Sequence, residues 1–197
     1  MAEDQRHDDR KNEHDHHDHH DHDTEGVDDH DGHDEGHDHA HDHHDHDLAE
    51  LAAGVVTVST SREAGEDPSG NAIIEILEEE GIDLAHRELI PDDFDRIQQT
   101  VSNLTDRDDV DLIVTTGGTG VTPDDVTVEA VEPLIGKTLP GFGELFRTLS
   151  YEEVATRVVA TRAIAGIADG VPVFCLPGSE NAVRLGTEEI IVEEAPH

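Results

Sequence analysis

The apolar run Leu112-Ile-Val-Thr-Thr116 stops abruptly at Gly117-Gly-Thr-Gly120, and helix-like sequence resumes from Thr127 to Val131. A strand, a glycine turn and a helix start, in that order, form a βα unit and place the chain in the α/β class. Such a unit aims several backbone N–H groups at one point, backed by the positive end of a helix dipole. A phosphate or another anion suits that point. Glycine serves it twice, by admitting close approach to the backbone and by accepting φ > 0. The turn is not a Walker A loop, for it lacks Gly-Lys-Ser/Thr, and it is not a G-x-G-x-x-G dinucleotide fingerprint.

The same alternation runs along the chain from Leu48. Gly54–Thr60 is β-branched and reads as a strand, and Arg87–Ile90 as a short one. Between them Ile73, Ile76 and Leu77 share the face of a helix over Ser69–Gly81, with Ser69 able to cap and Gly81 to close it. Phe94, Ile97, Val101 and Leu104 recur at helical spacing behind Pro91-Asp-Asp93. Phe142–Leu149, Tyr151–Ala160 and Asn181–Ile190 are expected helices, and Val171–Leu176 a strand. This pattern predicts a three-layer α/β/α domain with a largely parallel sheet. Ligands of such sheets sit at the carboxyl ends of the strands, where strand order reverses. Three turns that follow strands, Pro91-Asp-Asp93, Gly117–Gly120 and Pro177-Gly-Ser179, are therefore expected to converge on one site.

Residues 1–47 are almost entirely Asp, His, Glu and Gly, with Val27 the one sizeable apolar residue after Met1. They bury too little apolar surface to offset chain entropy, so a disordered acidic tail is expected, with the folded domain spanning 48–197. The formal net charge is -37, and the domain alone carries 30 acidic against 9 basic residues. Self-repulsion of that size suits concentrated salt, which points to a halophile's cytoplasm. Without a basic patch a nucleic-acid partner is not expected. No apolar stretch approaches membrane-spanning length, and the acidic N-terminus lacks the regions of a signal peptide. Cys175, the single cysteine, lies in an apolar strand-like run and reads as a small buried hydrophobe.

Several acidic positions have two readings each. Asp92 can cap the helix that contains Phe94–Leu104, and Thr122-Pro-Asp-Asp125 can start one, with Thr122 at the cap and Asp125 reaching back. Either carboxylate can equally serve catalysis beside an anion site. In the tail, imidazoles interleave with carboxylates over His14–His22 and His37–His46, a composition suited to Zn²⁺, Ni²⁺ or Cu²⁺ but with no fixed ligand spacing.

Leu89-Ile-Pro-Asp-Asp93, Thr115-Thr-Gly-Gly-Thr-Gly120, Asp125-Val-Thr127, Pro140-Gly-Phe-Gly-Glu144, Thr161-Arg-Ala163 and Leu176-Pro-Gly-Ser179 follow one another in order. Together they resemble the MogA and MoaB family of molybdenum-cofactor biosynthesis proteins over nearly all of Leu48–Glu194, closer to the MoaB branch from Gly141 to Ser179. With the charge balance, the resemblance points to a haloarchaeal member. It implies a molybdopterin adenylyltransferase that joins molybdopterin to the adenylyl group of ATP, releases pyrophosphate and uses Mg²⁺. It also implies a trimer or hexamer, and a molybdate-insertion protein as the downstream partner. On this resemblance Asp92 and Asp125 are the catalytic and metal-holding aspartates. Gly117, Gly118, Thr119 and Gly120 hold a phosphate of nucleotide or pterin, and Glu144, Pro177, Gly178 and Ser179 complete the pocket. A silent pterin-binding protein with a metal-binding tail is the alternative. Asp124 departs from the family, which commonly has arginine there.

Overall fold

The computed structural model describes residues 51–60 and 66–197. The expected tail, its metal chemistry and the start of the domain at Leu48 lie outside these residues. Six strands form one sheet: β1 (Ala52–Val58), β2 (Asp83–Ile90), β3 (Leu112–Thr116), β4 (Lys137–Thr138), β5 (Ile164–Ala168) and β6 (Val171–Leu176). The helices are α1 (Pro68–Glu79), α2 (Phe94–Thr105), α3 (Thr127–Val131), α4 (Pro140–Val154), α5 (Glu180–Gly186) and a last turn, α6 (Val192–Glu194).

The strand order is β2-β1-β3-β6-β5-β4. β1 pairs parallel with both β2 and β3, and β3 pairs parallel with β6, whereas β5 is antiparallel to its two neighbours. Alternate residues of the central strands feed two cores. Val55, Val114 and Leu176 pack with Ile73 and Leu77 of α1, Phe142 and Phe146 of α4, and Val183 of α5. Val56, Ile113 and Cys175 pack on the other face with Ile97 and Val101 of α2 and Ala130 and Val131 of α3. Helices on both faces of a mostly parallel sheet give the three layers the strand and helix alternation predicts. Cys175 is fully buried, and burial pushes its thiol up to about 12, so it behaves as a core residue rather than a nucleophile.

Local readings fail at some boundaries, each for a physical reason. Ser69 is not the cap of α1. The carboxylate of Asp67 accepts from the Gly70 N–H, with Pro68 in the first turn, and the Ser69 hydroxyl donates to the Gly178 carbonyl at 2.8 Å. Gly81 does close α1, at φ 80°. The expected pair of helices over Phe142–Ala160 is a single α4 from Pro140 followed by a 3₁₀ segment at Ala155–Ala160. The expected helix over Asn181–Ile190 starts at Glu180 and widens into a π turn at Thr187–Ile191 before α6. Strands β4 and β5 have no counterpart in the periodicity reading. β5 and β6 join through Asp169-Gly170, both at positive φ (49° and 92°), the backbone that a two-residue hairpin requires.

Candidate active site

Register brings the ends of four strands to one level. Val58 pairs with Ile90, Thr57 with Thr116, and Thr116 with Leu176. The chain then turns away at Ser59, Pro91, Gly117 and Pro177. β2 lies on one side of β1 and β3 on the other, so strand order reverses between β1 and β3. A cleft of about 800 Å³ opens over that point, lined by Thr60, Asp92, Gly117–Gly120, Thr122, Asp124, Asp125, Thr161 and Pro177–Ser179 among others. The three turns expected to converge do so, at the crevice the α/β rule designates.

The glycine bend is held rigidly. Gly117 has φ 99°, and a Cβ there would lie 2.1 Å from the Val58 carbonyl oxygen, so the bend presses against the end of β1. Gly118 has φ 64°; a Cβ on it would meet the Thr127 hydroxyl at 2.2 Å and Asp92 Oδ1 at 3.2 Å. Only glycine satisfies both demands at once. From the far side, the Thr127 hydroxyl donates to the Gly117 carbonyl at 2.8 Å and its N–H to the Gly118 carbonyl at 3.0 Å. Thr119, in the middle of the bend, is buried while still lining the cleft. Across the bend the Thr116 hydroxyl donates to the Pro177 carbonyl at 2.9 Å, tying the third turn to the first. Ser179 caps α5 through the Ala182 N–H.

Asp92 and Asp125 flank this bend. Asp93, not Asp92, caps α2 by accepting from the Arg96 N–H at 2.9 Å, which leaves Asp92 to the cleft. Asp92 Oδ2 accepts from both the N–H and the hydroxyl of Thr60, at 2.8 and 2.9 Å. Asp125 Oδ2 accepts in the same way from Thr122, at 2.8 Å from its N–H and 2.7 Å from its hydroxyl. The Thr122–Asp125 bonds imitate a capping box, yet Thr122 begins a turn and α3 starts at Thr127. A Cβ on Gly120 would lie 2.6 Å from Asp125 Oδ2, so this carboxylate backs directly onto the bend. Partial burial raises the Asp125 pKa, but donation from Thr122 and Gly120 and the Arg162 charge outweigh it and hold the carboxyl below its ordinary value. Hard carboxylate oxygens on two sides of the glycine bend are a donor set whose chemistry fits a hydrated Mg²⁺. No larger cluster of His, Cys, Asp and Glu suited to a metal occurs among the described residues.

Glu144 is not brought to this place. It is exposed on α4 and lines a separate cavity of about 230 Å³ with Leu139, Pro140, Arg147 and residues of β5. The roles of two kinds of residue were not read from the motifs, although Thr122 and Arg162 lie within them. Thr60 and Thr122 grip the aspartates, and nothing local to Thr60 signals a partner 32 positions away. Arg162 supplies a positive charge, donating from Nε to the Gly120 carbonyl at 2.7 Å and from Nη2 to the Asp125 carbonyl at 3.0 Å. Its place in the Thr161-Arg-Ala163 motif was the available signal, but the motif names no partner for it.

Known proteins resemble this chain in sequence and in fold. Residues 54–197 match a family described as a probable molybdopterin binding domain. Molybdenum cofactor biosynthesis protein B of Staphylococcus epidermidis is 44% identical over 147 residues, covering 73% of this chain and 84% of that protein. A crystal structure of a molybdenum cofactor biosynthesis protein B superposes with TM-score 0.72 at 41% identity, covering 75% of this chain and 92% of that one. The tungsten cofactor synthesizing protein MoaB of Pyrococcus furiosus gives 0.66 at 40% identity, covering 75% and 98%. The family match spans residues 54–197, and the chain belongs to the probable molybdopterin-binding domain family of molybdenum cofactor biosynthesis proteins.

Proposed function

We propose that this chain acts in molybdenum cofactor biosynthesis as a molybdopterin adenylyltransferase. The observation that carries the reading is the pairing of Asp92 and Asp125 on either side of the Gly117–Gly120 bend. An oxygen of the terminal phosphate of molybdopterin attacks the α-phosphorus of ATP. A new P–O bond forms, the bond between the α-phosphorus and its bridging oxygen breaks, and pyrophosphate leaves with the electron pair. The reaction brings several negative charges together, so the protein must supply position and fixed dipoles. Backbone N–H groups of the bend and of Gly178 and Ser179 bind phosphate, while Thr60 and Thr122 hold the two carboxylates still. Asp92 and Asp125 would hold Mg²⁺, which neutralises charge developing on phosphate oxygens.

One observation favours a second reading. Asp124 is exposed and lines the cleft, where a carboxylate repels phosphate, as a silent pterin-binding relative would tolerate. One assay separates the two. Purified protein in high KCl, given molybdopterin and MgATP, is expected to release pyrophosphate, and Asp125→Asn to release it about 100-fold more slowly while staying folded. Unchanged release in the variant rejects the assigned role of Asp125. Pterin binding without release by the wild type selects the silent reading.

The same proposal includes a cytoplasmic setting in a haloarchaeon, assembly as a trimer or hexamer, and delivery of product to a molybdate-insertion protein. Assembly is checked by light scattering of the purified chain in high KCl, where a monomer would reject it.

A further inference from the structure

We infer that Arg162 is a positioning residue of this cleft, fastening the Gly120–Asp125 loop from behind so that Asp125 stands against the glycine bend. The inference rests on the adenylyltransferase reading for its consequence but on geometry for its substance. Arg162 follows the 3₁₀ segment and precedes β5, and its neighbour Thr161, not Arg162 itself, lines the cleft. One guanidinium bonds the carbonyls at both ends of the loop, Gly120 through Nε and Asp125 through Nη2, and pairs with Glu129 of α3 through Nη1. The loop therefore has two closures. Inside, the Asp125 carboxylate returns to the Thr122 N–H and hydroxyl; outside, Arg162 spans from the first residue to the last.

Charge makes the outer closure necessary. Asp124, Asp125 and Glu129 are three carboxylates within a few residues, and Gly120 sits where any side chain would collide with Asp125. Without a cation the carboxylates push the loop open, and the glycine beside Asp125 offers no steric resistance. A planar fork with donors on two sides bridges two fixed carbonyls and a carboxylate together; a lysine ammonium keeps the charge but loses the span. The contact is also a tertiary one, 42 positions from Gly120.

The test uses the full chain and its Arg162→Lys and Arg162→Ala variants. Hydrogen exchange of peptides covering residues 119–127 is expected to accelerate about tenfold or more in both, with the core strands unchanged. Pyrophosphate release is expected to fall in kcat about tenfold for Lys and about 100-fold for Ala, with KM for ATP held within about threefold. In an Asp125→Asn background the Arg162→Ala change is expected to slow release less than about threefold further, since both act through one group. Unchanged exchange in the loop overturns the inference, and so does a full additional loss in the double variant. A wild type without pyrophosphate release rejects the adenylyltransferase reading and leaves loop exchange as the deciding readout for Arg162.

Discussion

At the scale of single residues, the clearest electrostatic consequence lies behind the cleft rather than in it. Asp67 is 1% exposed and accepts from the Gly70 N–H, the Thr57 hydroxyl and Arg87 Nη2. Burial raises its pKa, but these donors and the Arg87 charge outweigh burial and hold it below 3.8. A depressed folded-state pKa means the stabilisation is present above the unfolded-chain value, about 3.9, and disappears as pH falls through the folded value. Asp67→Asn is therefore expected to lower unfolding stability by about 1–3 kcal/mol at pH 7, with the gap to wild type closing at an acid pH below the folded-state value. Urea midpoints at the two pH values check it; a gap that persists in acid would assign the loss to packing instead. Much of this residue scale was readable beforehand. Gly117 and Gly118 do adopt positive φ, as close approach at a bend requires. The choice between Asp92 and Asp93 as the cap of α2 was not readable, because adjacent aspartates have the same intrinsic preference for that position.

Among elements, α4 shows how packing overrides local punctuation. The Ser150-Tyr151 junction suggested a break, yet α4 runs from Pro140 to Val154 as one helix. Phe142 and Phe146, one turn apart, both point into the core, with ring centroids at 6.2 Å, and Phe142 meets Phe174 of β6 at 5.3 Å. The helix is thus anchored by its first half, while Leu145, Tyr151 and Val154 remain exposed. Phe146 is 1% exposed, and Phe146→Ala is expected to destabilise the domain by about 3–5 kcal/mol, measured by urea unfolding. A loss under about 1 kcal/mol would mean that the sheet holds without α4. β5 escaped detection for a related reason. Its sequence, Ile-Ala-Gly-Ile-Ala, is small and weakly β-branched, and its strand state comes from pairing with β6 through the Asp169-Gly170 turn.

For the whole molecule, charge is the governing quantity. The net charge of -37 comes with 12 basic residues in all, and the domain from Leu48 onward keeps 30 acidic against 9 basic. Repulsion on that scale falls once the screening length drops to a few ångströms, roughly 3 Å at 1 M salt. Raising KCl from 0.2 to 3 M is therefore expected to lift the thermal midpoint by roughly 10 °C. A flat or falling midpoint would reject the halophile reading. Residues 1–47 add 15 histidines to this balance, and the proposed metal arm predicts that their deletion abolishes Zn²⁺ or Ni²⁺ uptake by calorimetry. Uptake that survives deletion would place the metal on the domain.

From the chain alone came the α/β class, most of the strands and helices, and the glycine bend, while the pairing of Asp92 with Asp125 was implied by the family resemblance. The class, the elements and the bend are written in side-chain periodicity or in residues a few positions apart, where propensity, capping and φ preference act. Tertiary structure alone decided that Asp92 is relieved of capping and gripped by Thr60, that Glu144 faces a different cavity, and that Arg162 closes the Asp125 loop from 42 residues away. These depend on which surfaces the sheet order brings together. No local preference encodes a hydrogen bond whose two ends meet only after the strands have paired.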